Sequence, residues 1–140
     1  MRRNEIRVRK IEFSNDFSMN EFRINPSIKF NARELKLKDE EQKDGHKVFA
    51  VQCNVLIEQT NENRMPIRLD VIVEGMFEFV DETQEQIDKF MKLGAPEAVY
   101  AATRSIVASV TAQAGGVTVI NLPLIDFERQ GEAQQNQQNQ

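Results

Sequence analysis

The sequence contains no tryptophan and only one tyrosine, one cysteine and one histidine in 140 residues. A single thiol, Cys53, forms no internal disulfide, so nothing points to an oxidising compartment. Cys53 also lies in a valine-rich stretch, where a thiol behaves as a small buried hydrophobe. The lone His46 sits in a charged turn and reads as a surface residue. Without other His or Cys at ligand spacing it offers no zinc site. No apolar run approaches a membrane span, which needs about 20 residues. Met1-Arg2-Arg3 is followed by no apolar h-region, so no signal peptide is expected, and the expected location is cytoplasmic. A basic excess is also missing. The 18 Lys and Arg against 22 Asp and Glu give a net charge of -4, which argues against a nucleic-acid binder. The cluster Arg2, Arg3, Arg7, Arg9 and Lys10 is read as the outward side of a strand. Gly115-Gly116 follows a helical stretch and lacks the further glycines and lysine of a phosphate loop. The carboxylates Asp39, Glu40, Glu41 and Asp44 read as a solvated loop, and Asp81-Glu82 as the start of a helix. No triad, metal set or cofactor loop can be assembled, so no enzyme activity, metal or cofactor is expected.

What is present is hydrophobic patterning. A chain of 140 residues with 40% apolar residues suits one domain. Ile6 and Val8 alternate, then Ile11 and Phe13 alternate in the other phase, and the break at Arg9-Lys10 fits a β-bulge. Ile28, Phe30 and Ala32 alternate after Asn25-Pro26, and Asp44-Gly45 marks a hairpin turn. Residues 48–57 form a third strand, Asn61-Glu62-Asn63 a turn, and Ile67, Leu69, Val71 and Val73 a fourth strand that continues to Phe77 and Phe79. Short connections predict sequential antiparallel hairpins. At Asp81 the period changes. Thr83 and Gln86 predict a capping box, Ile87, Phe90 and Met91 a short helix, and Gly94 its stop. Pro96 opens a longer helix with the stripe Val99, Thr103, Ile106, Val107, Val110 and Ala114, ended by Gly115-Gly116. Residues 117–127 are apolar and extended, with Pro123 excluding a central strand. They form a groove wall or pack back on the sheet. The expected fold is α+β: a four-stranded antiparallel sheet followed by a short and a long helix. Residues 1–127 make the domain, and the Gln- and Asn-rich stretch 128–140 is expected to be a disordered tail. Ile72 and Met76 on the second face of the sheet suggest that a partner covers it, most simply another copy.

These residues resemble the SecB family of export chaperones. Lys92-Leu93-Gly94-Ala95-Pro96, a helix with Tyr100, Ala101 and Arg104, the Gly115-Gly116 stop, and Ile120-Asn121-Leu122-Pro123-Leu124-Ile125-Asp126-Phe127 are similar to the family's C-terminal half. Ile6-x-Val8-x-x-Ile11, Pro26-x-Ile28-Lys29-Phe30-Asn31 and Gly75-Met76-Phe77 match the N-terminal half more loosely. The resemblance spans residues 5–127. The chain lacks the family's second proline before the tyrosine, carries an extra alanine before the arginine, and shows no third helix after Phe127.

The resemblance implies a SecB-like domain assembled as a dimer of dimers. It implies an ATP-independent holding chaperone that binds unfolded or precursor polypeptides in apolar grooves and delivers them to the SecA export motor. The client-facing residues it implies are Ile28 and Phe30 on the second strand, with Val119, Leu122, Leu124 and Phe127 in the extended segment; each is equally placed for the core. For the SecA contact it implies Asp70, and Asn15 or Asp16 on the first strand. Two other readings stand beside it: a SecB-like chaperone dedicated to one client such as an antitoxin, and a small-molecule-binding protein or enzyme on the same fold.

Overall fold

The computed structural model describes residues 3–16, 24–38, 46–61, 64–113 and 119–129. The expected turns at Asp44-Gly45 and Glu62-Asn63, the Gly115-Gly116 stop and residues 130–140 of the expected tail lie outside the described residues. Four strands come first: β1 (Arg3–Asn15), β2 (Ser27–Leu35), β3 (Lys47–Asn61) and β4 (Arg64–Phe79). Helix α1 (Gln84–Lys89), a π-helical turn (Phe90–Gly94) and helix α2 (Ala95–Gln113) follow. The strands form one antiparallel sheet in the order β1-β4-β3-β2.

Sequential pairing therefore holds for β2–β3 and β3–β4 but not for β1, which crosses to the far edge and pairs with β4. This is a Greek-key order. The pairing sets apolar residues against apolar residues: Val8 opposite Val73, Ile11 opposite Val71 and Phe13 opposite Leu69. The register slips between Val8 and Lys10, which makes Arg9 the bulged residue. The slip explains the change of phase in the sequence. It keeps Ile6, Val8, Ile11 and Phe13 on one face, although Val8 and Ile11 are three residues apart.

That face carries the core. Val51, Cys53, Val55 and Ile57 of β3 and Ile67, Leu69, Val71, Val73, Phe77 and Phe79 of β4 are buried beneath Ile87, Val99, Tyr100 and Val107. Cys53 is the small buried hydrophobe expected, and desolvation pushes its thiol up to about 11. At Gly75 an added Cβ would lie 2.7 Å from Val99 Cγ2. The missing side chain lets α2 sit directly on β4.

The Thr83–Gln86 capping box forms, with both reciprocal bonds present. Gly94, however, does not stop the helix. The chain winds through the π turn into α2, so residues 84–113 are one helical run. Two features favour the wider turn. Pro96 supplies no N–H for a regular bond, and the Ala95 N–H instead reaches back to the Phe90 carbonyl. Gly94 also makes room for the Phe90 ring, since a Cβ there would lie 2.7 Å from it. Phe90 thereby reaches Phe77 and Phe79, at centroid distances of 5.3 and 5.6 Å.

The second face is mixed in character. Ala50 is buried, but Ile72 and Met76 are only half-buried among charged side chains. Lys10 binds Asp70 at 2.8 Å, Arg68 binds Glu12 at 2.8 Å, and Gln52 donates to Glu74 at 2.7 Å. His46 is not a surface residue; it meets Glu78 at 2.9 Å with both side chains largely covered. The face is thus roofed by its own polar residues. The uncovered apolar row lies on the helix side of β1, where Ile6, Val8 and Ile11 are 40–45% exposed.

Candidate functional site

Residues 119–127 run antiparallel to α2 and are held by it through three side chains. The Ile120 N–H donates to Thr111 Oγ1 at 2.9 Å, and Arg104 Nε donates to the Leu122 carbonyl at 3.2 Å. The Tyr100 hydroxyl donates to the Pro123 carbonyl. Pro123 bars a strand ladder here, so side chains of α2 satisfy backbone groups that a sheet would otherwise pair. Burial holds the Tyr100 phenol above its ordinary pKa, which keeps it a donor.

The tethered segment alternates from Val119 to Pro123, and Leu124 breaks the pattern. Ile120 and Leu122 are buried in the core, whereas Val119 and Leu124 face outward, Leu124 at 82% exposure. On the β2 side Phe30, Tyr100 and Phe127 pack edge-to-face, with centroids 5.4–5.9 Å apart. Beside this cluster a cleft of 470 Å³ is lined by Ile24, Pro26 and residues 119–123. The walls are apolar apart from backbone and Asn121, which suits burial of an apolar ligand without a fixed shape.

Four residues expected at a groove meet in two places: Phe30 and Phe127 in the ring cluster, Val119 and Leu122 at the cleft. Leu122 serves the core as much as the cleft, being only 3% exposed. Ile28 is half-buried against the core, and Leu124 stands outward alone. Sequence reasoning missed Ile24, Pro26 and Tyr100 as parts of the site. The spacing of Tyr100, Arg104 and Thr111 along one side of α2 is the signal that would have found the tether.

The chain also matches the family model described as preprotein translocase subunit SecB, over residues 3–138. The chain belongs to the SecB family. Among solved structures it resembles the Mycobacterium tuberculosis Rv1957 SecB-like chaperone in complex with a ChAD peptide from the Rv1956 HigA1 antitoxin. The match has 13% identity and a TM-score of 0.59, covering 86% of this chain and 88% of the other. At that identity it establishes the shared SecB fold. No curated protein sequence matches.

The acidic positions implied by the SecB resemblance are not one patch. Asp70 is 8% exposed and ion-paired with Lys10 and, at 3.7 Å, Arg68. Asp16 is exposed beyond β1, its N–H bonded to the Pro66 carbonyl at 2.8 Å. Asp70 lies opposite Glu12, so four strand residues, about 13 Å, separate the two sites along the ladder. Among the described residues no group of three His, Cys, Asp or Glu could hold a metal, and no helix is long and apolar enough to cross a membrane.

The tether has a direct test. Tyr100→Phe is expected to destabilise the chain by about 1 kcal/mol, the worth of one hydrogen bond. Amide exchange should accelerate at Ile120, whose N–H is held by Thr111, with little change in β3 and β4. Unchanged exchange there would mean that the hydroxyl does not hold the segment.

Proposed function

We propose that this SecB-family chain is an ATP-independent holding chaperone that binds non-native polypeptides in the apolar groove between β2 and residues 119–127. The observation that carries the reading is the pair formed by the partly open ring cluster of Phe30, Tyr100 and Phe127 and the apolar cleft at Ile24, Pro26 and residues 119–123, whose wall is held by hydrogen bonds from α2. Ile28, Phe30, Val119, Leu124 and Phe127 contact the client, and Leu122 supports the cleft from below. Hydrophobic burial is non-directional and contributes about 25 cal/mol per Å², so such a groove accepts many sequences. A folded protein hides the surface that the groove needs.

A second reading has one specific observation behind it. The structurally similar Rv1957 chaperone is bound to a peptide from an antitoxin. The second reading is thus a chaperone dedicated to one client of that kind. Delivery to SecA through Asp16 and Asp70 has weaker support, because a basic partner at Asp70 competes with Lys10 and Arg68.

The chain works as a homo-oligomer, a dimer of dimers. The exposed row Ile6, Val8 and Ile11 supports this, because it lies on the helix side of a free sheet edge, where a second copy covers it. Light scattering at micromolar concentration should give a mass above the 16.1 kDa of one chain, reduced by Val8→Asp. A monomer mass for the unaltered chain contradicts the assembly.

Holding itself is tested by diluting an unrelated, slow-folding protein from denaturant into the chaperone. Refolding should slow and aggregation fall at stoichiometric amounts, with no effect on the folded client. The double variant Phe30→Ala, Phe127→Ala should weaken this by about tenfold or more, since each buried ring contributes about 1.5–3 kcal/mol. No effect of the unaltered chain at excess would remove the general role and leave the dedicated one.

A further inference from the structure

The sheet face turned away from the helices divides its charges unevenly. On β1 and β4 the cations are matched: Arg7 with Glu5, Arg9 with Glu74, Lys10 with Asp70 and Arg68 with Glu12. The β3 residues that lie opposite β2 on this face, Val48, Ala50, Gln52, Asn54 and Leu56, carry no charge. On β2 the same face carries Lys29 and Arg33, both exposed. The one carboxylate of β2, Glu34, falls on the helix side, opposite Phe49. Lys36 and Lys38 follow the strand and are exposed as well. Among the described residues none of these four cations has an ion-pair partner.

The neutral β3 column keeps Lys29 and Arg33 two strand spacings, about 9.5 Å, from the β4 carboxylates. Glu74, level with them, is already held by Arg9 at 3.3 Å and by Gln52 at 2.7 Å. Asn54, directly opposite Lys29, leaves its Oδ1 buried and without a hydrogen-bond partner, so the cross-strand acceptor does not hold the ammonium either. An uncompensated basic row thus stands on a chain of net charge -4. The surroundings of the row narrow what fits it. Phe13, Phe30, Phe49, Phe77 and Phe79 all lie on the helix side, so nucleobases find no stacking platform here. The net negative charge repels a long polyanion. Ser27 and Asn31, the other residues of the row, give a lipid surface no apolar anchor. A short acidic stretch of polypeptide meets none of these obstacles.

We propose that the outward face of β2 docks an acidic segment of a partner protein that is not a client, with its carboxylates on Lys29 and Arg33. The row lies on the opposite side of the sheet from Phe30 and its ring cluster, so a partner docks while the groove is filled. The charge is opposite to that of Asp16 and Asp70, and Asp70 is already paired with Lys10. Arg33 takes a carboxylate through two parallel N–H bonds, and Lys29 acts as a point charge. Their separation of four strand residues, about 13 Å, matches carboxylates four residues apart in an extended segment. Lys36 and Lys38 add positive potential at one end of the row. Exposed charges are screened by salt, so the contact is weak and reversible, as a docking step requires.

The test uses the full chain and fluorescent peptides of about nine residues, a length matched to β2. One peptide carries glutamate at every fourth position among serine and glycine, with no apolar residue for the groove. The other carries lysine in place of glutamate. At low salt the glutamate peptide should bind about tenfold tighter, and Lys29→Glu with Arg33→Glu should reverse the order. The milder pair Lys29→Gln with Arg33→Gln should erase most of the preference and leave thermal unfolding unchanged. Both double variants should hold an unfolded protein as well as the unaltered chain does, and saturation with that protein should leave the glutamate peptide bound. Absence of a preference for glutamate, or a preference that survives both double variants, would overturn the docking site. Displacement of the peptide by the unfolded protein would place it in the groove and overturn the site as well. Oligouridylate or phosphatidylglycerol vesicles that bind more tightly through the same two residues would overturn the assignment to an acidic polypeptide. If the unaltered chain holds no unfolded protein but keeps the glutamate preference, the holding role falls and the docking site stands.

Discussion

The seating of α2 on β3 and β4 is the contact on which the rest depends. It requires a bare backbone at Gly75, where Val99 comes down onto the sheet, and buried hydroxyls that satisfy themselves within the helix. Thr103 and Thr111 do this, donating to the carbonyls of Val99 and Val107. Once α2 is fixed, Tyr100, Arg104 and Thr111 are fixed, and with them the path of residues 120–123. The groove is thus a consequence of helix packing. Its outer wall has no strand ladder of its own, and its position is inherited from the core.

The charges on the opposite face follow a complementary logic. Cross-strand pairs between β1 and β4 bring Lys10 to Asp70 and Arg68 to Glu12, and Gln52 of β3 covers Glu74. The exposed Arg68–Glu12 pair adds little stability, whereas Asp70 and Glu74 are buried carboxylates that need the partners Lys10 and Gln52 give them. Together these groups cover a sheet face that carries Ile72 and Met76 and would otherwise be partly apolar. Among the described residues the open apolar surface includes the β1 row and residues on the β2 side, at opposite edges of the sheet, besides Met65 at the start of β4. On the proposed function, the β1 edge joins copies and the β2 edge stays free for a client.

Much of this was legible in the sequence where a local rule acts alone. The change of phase between Val8 and Ile11 located the bulge, and Thr83 with Gln86 located the helix start. The α+β order and the four strands followed from hydrophobic period. What failed depended on distant partners. Nothing local to β1 says that it pairs with β4 and not β2. Gly94 is a stop signal in isolation, but beside Pro96 and under the Phe90 ring it accommodates a π turn. His46 looked exposed because Glu78, its partner, is 32 residues away. Phe30 and Phe127 were legible through the resemblance to the SecB family. Tyr100 was not, because one side chain serves the core, the ring cluster and the tether together.

The central claim is that non-native polypeptide is held at the β2 groove and not on the charged face. The most direct measurement is site-specific photo-crosslinking to a permanently unfolded, reduced and alkylated protein. A benzoyl-phenylalanine replaces Val119 at the cleft or Glu58 on the exposed charged face. The account predicts strong crosslinks from position 119, weak ones from position 58, and none from either to the folded form of the same protein. Equal labelling from the two positions, or stronger labelling from position 58, would contradict it.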